Sequence, residues 1–376
     1  MARVRRLVGL SCVVGLVAGC ASPSGRLGEP VAPFHPGTVT TGQGKPADSF
    51  TVVASGDVLI HPALTEQAEE DGGDTRDYKP LFAGIKPVIE GADLAICHME
   101  VPIATSDGPF QGYPLFYAPP EVAEAVAATG YDTCSTASNH TFDHGAAGVR
   151  TTLDALDAAE IGHTGSARNE QEADTPLVRD VNGVKVGQVS FTFDFNQGTE
   201  EPADSPWMSN ELSVDAVLEA ARAARAAGAE VVIASLHWGV EDQHEPTADQ
   251  RETAEAILAD PAVDLIVGHH AHVVQPFEKF GDKWVAYGLG NSVAKHEEPR
   301  GTTEEGLIGR FRFTKSDVGW RVDKAEYIPT LVDLGPPIRL VDLSAANDVD
   351  AGRTQEALDR TDGVVMSLDP PGLTRP

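Results

Sequence analysis

The sequence predicts an α/β protein, on three observations. From residue 50 onward, short runs rich in β-branched and apolar residues alternate with alanine-rich stretches of helical spacing. Clusters of Asp, Glu, Asn and His follow the ends of the strand-like runs, where open α/β sheets place their ligands. No internal repeat is evident.

The elements follow in order. Arg3, Arg5 and Arg6 precede an apolar stretch over 7–17 that reaches Leu16-Val17-Ala18-Gly19-Cys20, so residues 1–19 read as a secretion signal. The apolar run falls well short of the ~20 residues that span a bilayer, which argues against a transmembrane helix. Arg5 and Arg6 lack the context of twin-arginine export, and the general secretory route is favoured. The small residues before Cys20 resemble the lipobox of bacterial lipoproteins, which implies cleavage there, acylation of Cys20, and anchoring at the extracytoplasmic face of the cell membrane. Residues 20–48 are rich in Gly, Pro, Ser and Thr without periodic apolar pattern and read as a flexible tether.

Strands are expected over 50–54, leading to Ser55-Gly56-Asp57; over 93–97, leading to His98-Met99-Glu100; and over 131–135, leading to Asn139-His140. Two more are expected over 230–235, leading to His237, and 263–267, leading to Gly268-His269-His270-Ala271-His272. Helices are expected over 119–129, which opens with two prolines suited to a helix start, and over 147–159, 214–227 and 247–260. Asn182-Gly183 and Gly281-Asp282 signal hairpins, so antiparallel pairing is mixed with crossovers. Residues 306–329 read as further β-structure and 350–368 as a final helix. The organisation expected is one domain over 49–335 and a C-terminal extension over 336–376 that carries this helix.

The chain carries 57 Asp and Glu against 28 Lys and Arg, a formal net charge of -29, and -32 once the three arginines of the signal are gone. Nucleic acid is therefore excluded as a partner class, and an anionic substrate has to be gripped locally, by bound cations. Of the four cysteines, Cys12 leaves with the signal and Cys20 takes lipid. Cys97 and Cys134 remain, both in apolar strand-like runs; they form no zinc motif, and buried free thiols are favoured over a disulfide.

The chemistry concentrates at the strand ends, in Asp57, Glu100, Asn139, His140, His237, His270 and His272. Carboxylates, an amide oxygen and imidazoles together suit manganese, zinc or iron, not a thiolate-bound structural zinc. Two such ions sharing a carboxylate clamp a phosphate oxygen and activate water, which points to a hydrolase.

Six strings carry a resemblance over roughly residues 50–295: Ser55-Gly56-Asp57, Met99-Glu100, Ser138-Asn139-His140-Thr141-Phe142-Asp143-His144-Gly145, His237-Trp238-Gly239-Val240-Glu241, Gly268-His269-His270-Ala271-His272 and Gly290-Asn291. In this order they resemble the CapA branch of the calcineurin-like metallophosphoesterases, named for poly-γ-glutamate capsule synthesis. The resemblance implies an α/β/β/α sandwich of two mixed sheets flanked by helices, and one or two divalent ions (Mn, Fe or Zn). It implies that Asn139, His237 and His270 bind one ion and that Glu100 bridges to a second held by Asp57 and His272. His140 is left free to protonate a leaving oxygen, with Asp143 orienting it through the other ring nitrogen.

Departures from the pattern leave alternatives open. Leu59 stands where the wider superfamily has histidine, and His61 is a replacement ligand, a substrate contact or a surface residue, so that a mononuclear centre remains open. Glu100 replaces the superfamily's aspartate, and His98 replaces the asparagine common in the branch; His98 either supports the ligands from behind or merely packs. Glu241 either orients an imidazole, binds solvent or lies exposed, and Asn291 either meets substrate or caps a turn. His269 is expected to point away from the site. Surface placement is the default for His144, His163, His244 and His296. Two functions are carried forward: a lipid-anchored hydrolase of an envelope or capsule phosphoester, and an assembly component that guides poly-γ-glutamate beside capsule synthase subunits. The first requires His140, whereas the second survives its loss.

Overall fold

The computed structural model describes residues 48–376 except Glu200. The expected signal, the Cys20 anchor and the tether up to residue 47 lie outside the described residues.

Two mixed sheets stack face to face. The chain enters the first through β1 (Ser49–Val58), β2 (Leu94–Met99), β3 (Thr133–Ser135) and β4 (Gly162–Thr164), all parallel neighbours. It crosses to the second through β5 (Leu177–Val181), β6 (Val184–Thr192), β7 (Val231–His237), β8 (Leu265–His269), β9 (Phe277–Phe280) and β10 (Lys283–Ala286). It then returns to the first through β11 (Asn291–Val293), β12 (Glu305–Ser316), β13 (Gly319–Asp333), β14 (Arg339–Asp342) and β15 (Leu373–Thr374). The first sheet has the order β14-β13-β12-β1-β2-β3-β4, with β11 beside β1 and β15 beside β13; the second has β5-β6-β7-β8-β10-β9.

The layer between the sheets is apolar. Phe50, Val52, Ala54, Leu94 and Ile96 of the first sheet meet Val231, Ile233, Leu265 and Val267 of the second. These are alternate residues of each strand, as a pleat with one face on this layer requires. The outer face of the first sheet packs helices α1 (Pro62–Gly72), α2 (Lys79–Phe82), α3 (Lys86–Glu90), α4 (Glu121–Thr129) and α5 (Gly145–Ala158). After the short α6 (Glu170–Ala173), helices α7 (Val214–Ala226) and α8 (Ala248–Ala259) cover the second sheet. The last helix, α9 (Ala351–Val365), lies against β12 and β13. The α/β/β/α sandwich expected from the sequence is thus the observed architecture.

The helix starts have local causes. The Thr247 hydroxyl accepts from Gln250 N at 3.1 Å while the Gln250 side chain accepts from Thr247 N, a reciprocal cap that starts α8. Ser213 and Asp350 cap α7 and α9 in the simpler way. Pro120 stands at the start of α4, and Gly130 ends it in a left-handed conformation at φ 107°.

Three expectations change. The site-bearing strands run further than the sequence suggested: β1 to Val58, β2 to Met99, β7 to His237 and β8 to His269. Polar residues at their ends read as loop in sequence, but here they are buried and paired between sheets. His163, expected at the surface, is half-buried in β4 opposite Cys134, in a strand too short to leave a periodic signal. Cys97 and Cys134, expected as free thiols, form a disulfide: they are register partners on adjacent strands with Cα atoms 4.5 Å apart. Nothing in sequence reveals that β2 and β3 become neighbours in that register.

The bridge closes a sequence separation of 37 residues, for which restriction of the unfolded chain contributes about 4 kcal/mol. Peptide mapping without reductant is expected to recover Cys97 and Cys134 in one linked species, and Cys97→Ser with Cys134→Ser to lower unfolding free energy by about that amount. Free thiols at both positions, or an unchanged urea midpoint, contradict this.

Candidate metal centre

Every side chain of the cluster is delivered by a strand end or the turn after it. On β1 the residues facing the second sheet are Phe50, Val52 and Ala54, and strict alternation would place position 56 next. The register with β2 slips between Ala54, opposite Ile96, and Asp57, opposite His98. This bulge turns Asp57 inward in place of residue 56. Gly56 is required there by close approach, since a Cβ would lie 2.0 Å from the Gly290 carbonyl oxygen. Asp57, Glu100, Asn139, His237, His270 and His272 are all buried.

Asp57 is held from the second sheet. Its Oδ1 lies 3.1 Å from His269 Nδ1, its Oδ2 accepts from His270 N at 3.0 Å, and His272 Nδ1 is 3.4 Å from the same oxygen. His270 and His272 adopt left-handed conformations, φ 89° and 55°, uncommon outside glycine. That turn sends the imidazoles of His269, His270 and His272 into one space, and strain of this kind is characteristic of functional sites.

His272 is oriented from behind. Asn291, fully buried, donates from Nδ2 to the carbonyls of His272 at 3.3 Å and Thr303 at 2.9 Å, so its Oδ1 is an acceptor. His272 Nδ1, 2.9 Å away, therefore carries the proton. The opposite nitrogen, Nε2, faces Glu100 Oε1 at 3.5 Å. His237 Nε2 lies 2.7 Å from Asn139 Oδ1 and 4.0 Å from Glu100 Oε1. Asn139 Nδ2 donates to Asn196 Oδ1 at 3.0 Å, which again leaves Oδ1 as the acceptor facing the imidazole.

The electrostatics follow from burial. Desolvation works against charge on Asp57, but bonds from His269 and His272 outweigh it and hold the carboxyl well below the usual carboxylate range. Burial pushes Glu100 well above that range. For His272 burial opposes charge, and Glu100 and Asp57 overcome it, raising the imidazole to about 10. Burial, then neighbouring imidazoles, drives His98 and His237 well below the ordinary histidine value and His270 to about 3, so these rings are neutral.

The donor set fits a divalent cation. Both Glu100 oxygens are buried without a hydrogen-bond partner, as is His270 Nδ1. Three groups among the described residues each bring ligand atoms within 4.8 Å of one another: Asp57, Glu100 and His272; Glu241, His270 and His272; Asp57, His98 and His269. Buried carboxylate oxygens and an imidazole nitrogen that converge with no hydrogen-bond partner are the environment a hard or borderline metal fills.

His140 stands beside this cluster. Its Nδ1 lies 2.7 Å from Asp143 Oδ2, which also accepts from Phe116 N at 2.8 Å, and the Asn196 amide is 3.0 Å from the same ring nitrogen. Phe116 meets the His140 ring edge-on at 4.9 Å. His140, His272, His61, Glu241, Lys295 and Arg300 line a cleft of about 810 Å³.

The remaining expected residues are placed as follows. His61 is buried, with Nδ1 3.2 Å from both Leu59 O and Lys295 N; it belongs to none of the three groups. Glu241 is exposed on the cleft wall. Asn291 bonds His272 instead of capping a turn. His98 faces inward from β2 and bonds His237 Nδ1 at 2.9 Å. His269 corrects an expectation: it points into the cluster, stacked on His98 at 4.1 Å. The alternation rule assumed extended backbone through His270, which the left-handed turn breaks. The signal existed, because Leu265, Val267 and His269 share a parity whose first two members face the intersheet layer, and His269 pairs in register with His237. Asn196 was missed altogether, because loop residues leave no periodic trace.

Fold and site together define a two-sheet α/β sandwich protein with a strand-end constellation able to hold divalent metal. The chain belongs to the bacterial capsule synthesis protein family PGA_cap, whose profile matches residues 51–296. It is 28% identical over 255 residues to the capsule biosynthesis protein CapA of Bacillus anthracis, covering 65% of this chain and 60% of that one. It is 24% identical to the PGA biosynthesis protein CapA of Bacillus subtilis, covering 70% of each, and 26% identical to a probable polyglutamine synthesis accessory protein of Mycobacterium tuberculosis, covering 66% of this chain and 76% of that one. Among solved structures, a phosphatase of Mycoplasma pneumoniae aligns with TM-score 0.44 at 15% identity over 75% of this chain and 94% of that one. The calcineurin-like phosphoesterase YfkN of Bacillus subtilis aligns with TM-score 0.43 at 16% identity over 83% and 96%. At these scores the likeness carries no argument, and the sandwich rests on the strand order and layers described above.

Gly268 tests the close packing that supports the cluster. A Cβ there would lie 1.8 Å from Tyr287 O and 2.6 Å from Trp238 Nε1. Gly268→Ala is expected to cost roughly 1–3 kcal/mol or more, read as a lowered denaturation midpoint, and an unchanged midpoint contradicts it.

Proposed function

We propose that this protein is a metal-dependent, phosphoesterase-like hydrolase that acts outside the cytoplasmic membrane on an anionic envelope or capsule substrate. The observation that carries this reading is the convergence of Asp57, Glu100, Asn139, His237, His270 and His272 around a buried carboxylate without hydrogen-bond donors, with His140 alongside. In the arrangement that the resemblance implies, Asn139, His237 and His270 would hold one ion and Asp57 and His272 a second, with Glu100 serving both. When bound, such ions supply positive charge that offsets the charge gathering on an ester group under attack.

The protein's own residues do the rest. Asp143, fixed by Phe116 N, takes the hydrogen of His140 Nδ1 and holds the tautomer and plane of the ring. As water adds to the ester and the bond to the leaving oxygen breaks, His140 Nε2 gives that oxygen a proton and regains one from the water consumed. Lys295 and Arg300 on the cleft wall give an anionic substrate a local grip on an otherwise acidic molecule. His61, on the same wall, contacts substrate in this reading. Anchoring through Cys20 agrees with the Cys97–Cys134 disulfide, since such bridges persist in oxidising compartments outside the cytoplasm.

The names of the relatives favour a second reading. A capsule biosynthesis protein and a PGA biosynthesis protein among them suggest a component that guides poly-γ-glutamate beside capsule synthase subunits, with cleavage minor or absent.

Metal analysis and kinetics on the full-length chain separate the two. The protein is expected to carry one or two transition-metal ions and to hydrolyse p-nitrophenyl phosphate or its bis ester. His140→Ala is expected to lower turnover roughly 10²–10⁴-fold without loss of metal. Metal without turnover, or equal turnover by both proteins, removes the hydrolytic reading; absence of metal removes the metal centre itself.

A further inference from the structure

Two buried imidazoles that the proposed ligand scheme leaves unused sit directly behind the ligands, one on each sheet. His98 ends the inward face of β2 in the first sheet, and His269 ends β8 in the second. They stack at 4.1 Å with planes 17° apart. Each reaches across the interface: His98 Nε2 to His237 Nδ1 of the second sheet at 2.9 Å, and His269 Nδ1 to Asp57 Oδ1 of the first at 3.1 Å. The pattern is reciprocal, since each sheet supplies one imidazole that grips the other's ligand.

The hydrogen bonds form one relay whose direction is fixed at Asn139. Asn139 Oδ1 is an acceptor, so His237 Nε2, 2.7 Å away, donates to it. His237 Nδ1 then accepts from His98 Nε2 at 2.9 Å, and His98 Nδ1 accepts from the Ser135 hydroxyl at 2.8 Å. The relay thus holds the tautomer and the plane of the His237 ring from behind. Both His98 nitrogens are engaged in this chain, so His98 is no ligand; His269 spends Nδ1 on Asp57, and its Nε2 is buried without a partner.

We propose that His98 and His269 are positioning residues that form a cross-sheet clamp, each locking one ligand of the opposite sheet so that the centre is built before any ion arrives. This rests on the metal-centre reading above. A clamp of this kind acts on metal affinity, whereas simple packing residues act on stability alone.

The test is a calorimetric titration of the full-length protein with Mn²⁺, beside denaturation midpoints measured in EDTA. His98→Leu and His269→Leu are each expected to bind Mn²⁺ roughly 10–100-fold more weakly. His98→Gln, whose amide nitrogen can donate to the same His237 nitrogen, is expected to recover most of that loss, as is His269→Asn, whose amide nitrogen can donate to Asp57. Should either leucine variant fail to fold, Ser135→Ala decides: it removes only the hydroxyl that donates to His98 and is expected to weaken Mn²⁺ binding several-fold with little change of midpoint in EDTA. Affinities equal to wild type in the folded variants overturn the clamp. Binding abolished by leucine and not recovered by the amides makes the imidazoles ligands and overturns it as well. A wild-type protein that binds no Mn²⁺ instead overturns the metal-centre reading on which the clamp rests.

Discussion

Two carboxylates buried between stacked sheets, Asp57 and Glu100, set the terms for everything around them. An ionised carboxylate taken out of water costs several kcal/mol unless donors or cations compensate. The protein treats the two differently. Asp57 has donors from His269 and from the His270 backbone, whereas Glu100 has none on either oxygen. Protein donors therefore favour the charged form of one carboxylate, and the other is left to be compensated by a cation. That asymmetry is what a site built for metal requires and what a purely structural core would eliminate.

The fold supplies the means of holding them there. Parallel strands of both sheets end at the same edge, so short polar segments following β1, β2, β3, β7 and β8 meet over the intersheet layer. A bulge re-aims Asp57, and left-handed residues fold the His269–His272 segment over it. Glycines at 56 and 268 let backbone approach where any side chain would collide. The local distortions gather at this edge, while Phe50, Val52, Leu265 and Val267 below it keep regular alternation. Regular packing under an irregular rim gives the rigid platform on which six donors can be held near one another.

Much of this was legible in the sequence. The strand-like runs, the Asn182-Gly183 hairpin and the Thr247 and Asp350 helix starts are local signals, and the structure has each. The polar strings at strand ends named the side chains that converge, because chain order and residue type survive without knowledge of contacts. What stayed hidden depends on tertiary neighbours. His269 was assigned to the wrong side because alternation cannot foresee a left-handed turn at His270. The Cys97–Cys134 bridge needs the register of β2 and β3, Asn291 needs β11 beside β1, and Asn196 needs a loop folded onto His140. The helix at Pro62–Gly72 buries only Leu64, Gln67 and Ala68, too thin an apolar stripe to announce itself.

The central claim is that these donors surround a cation. Anomalous diffraction from crystals of the protein grown with Mn²⁺ tests it most directly. The account predicts a peak bounded by Asp57, Glu100 and His272, alone or with a second bounded by Asn139, His237 and His270, and little movement of these side chains. Mn²⁺ bound elsewhere, or an empty cluster in crystals that contain the ion, would contradict it.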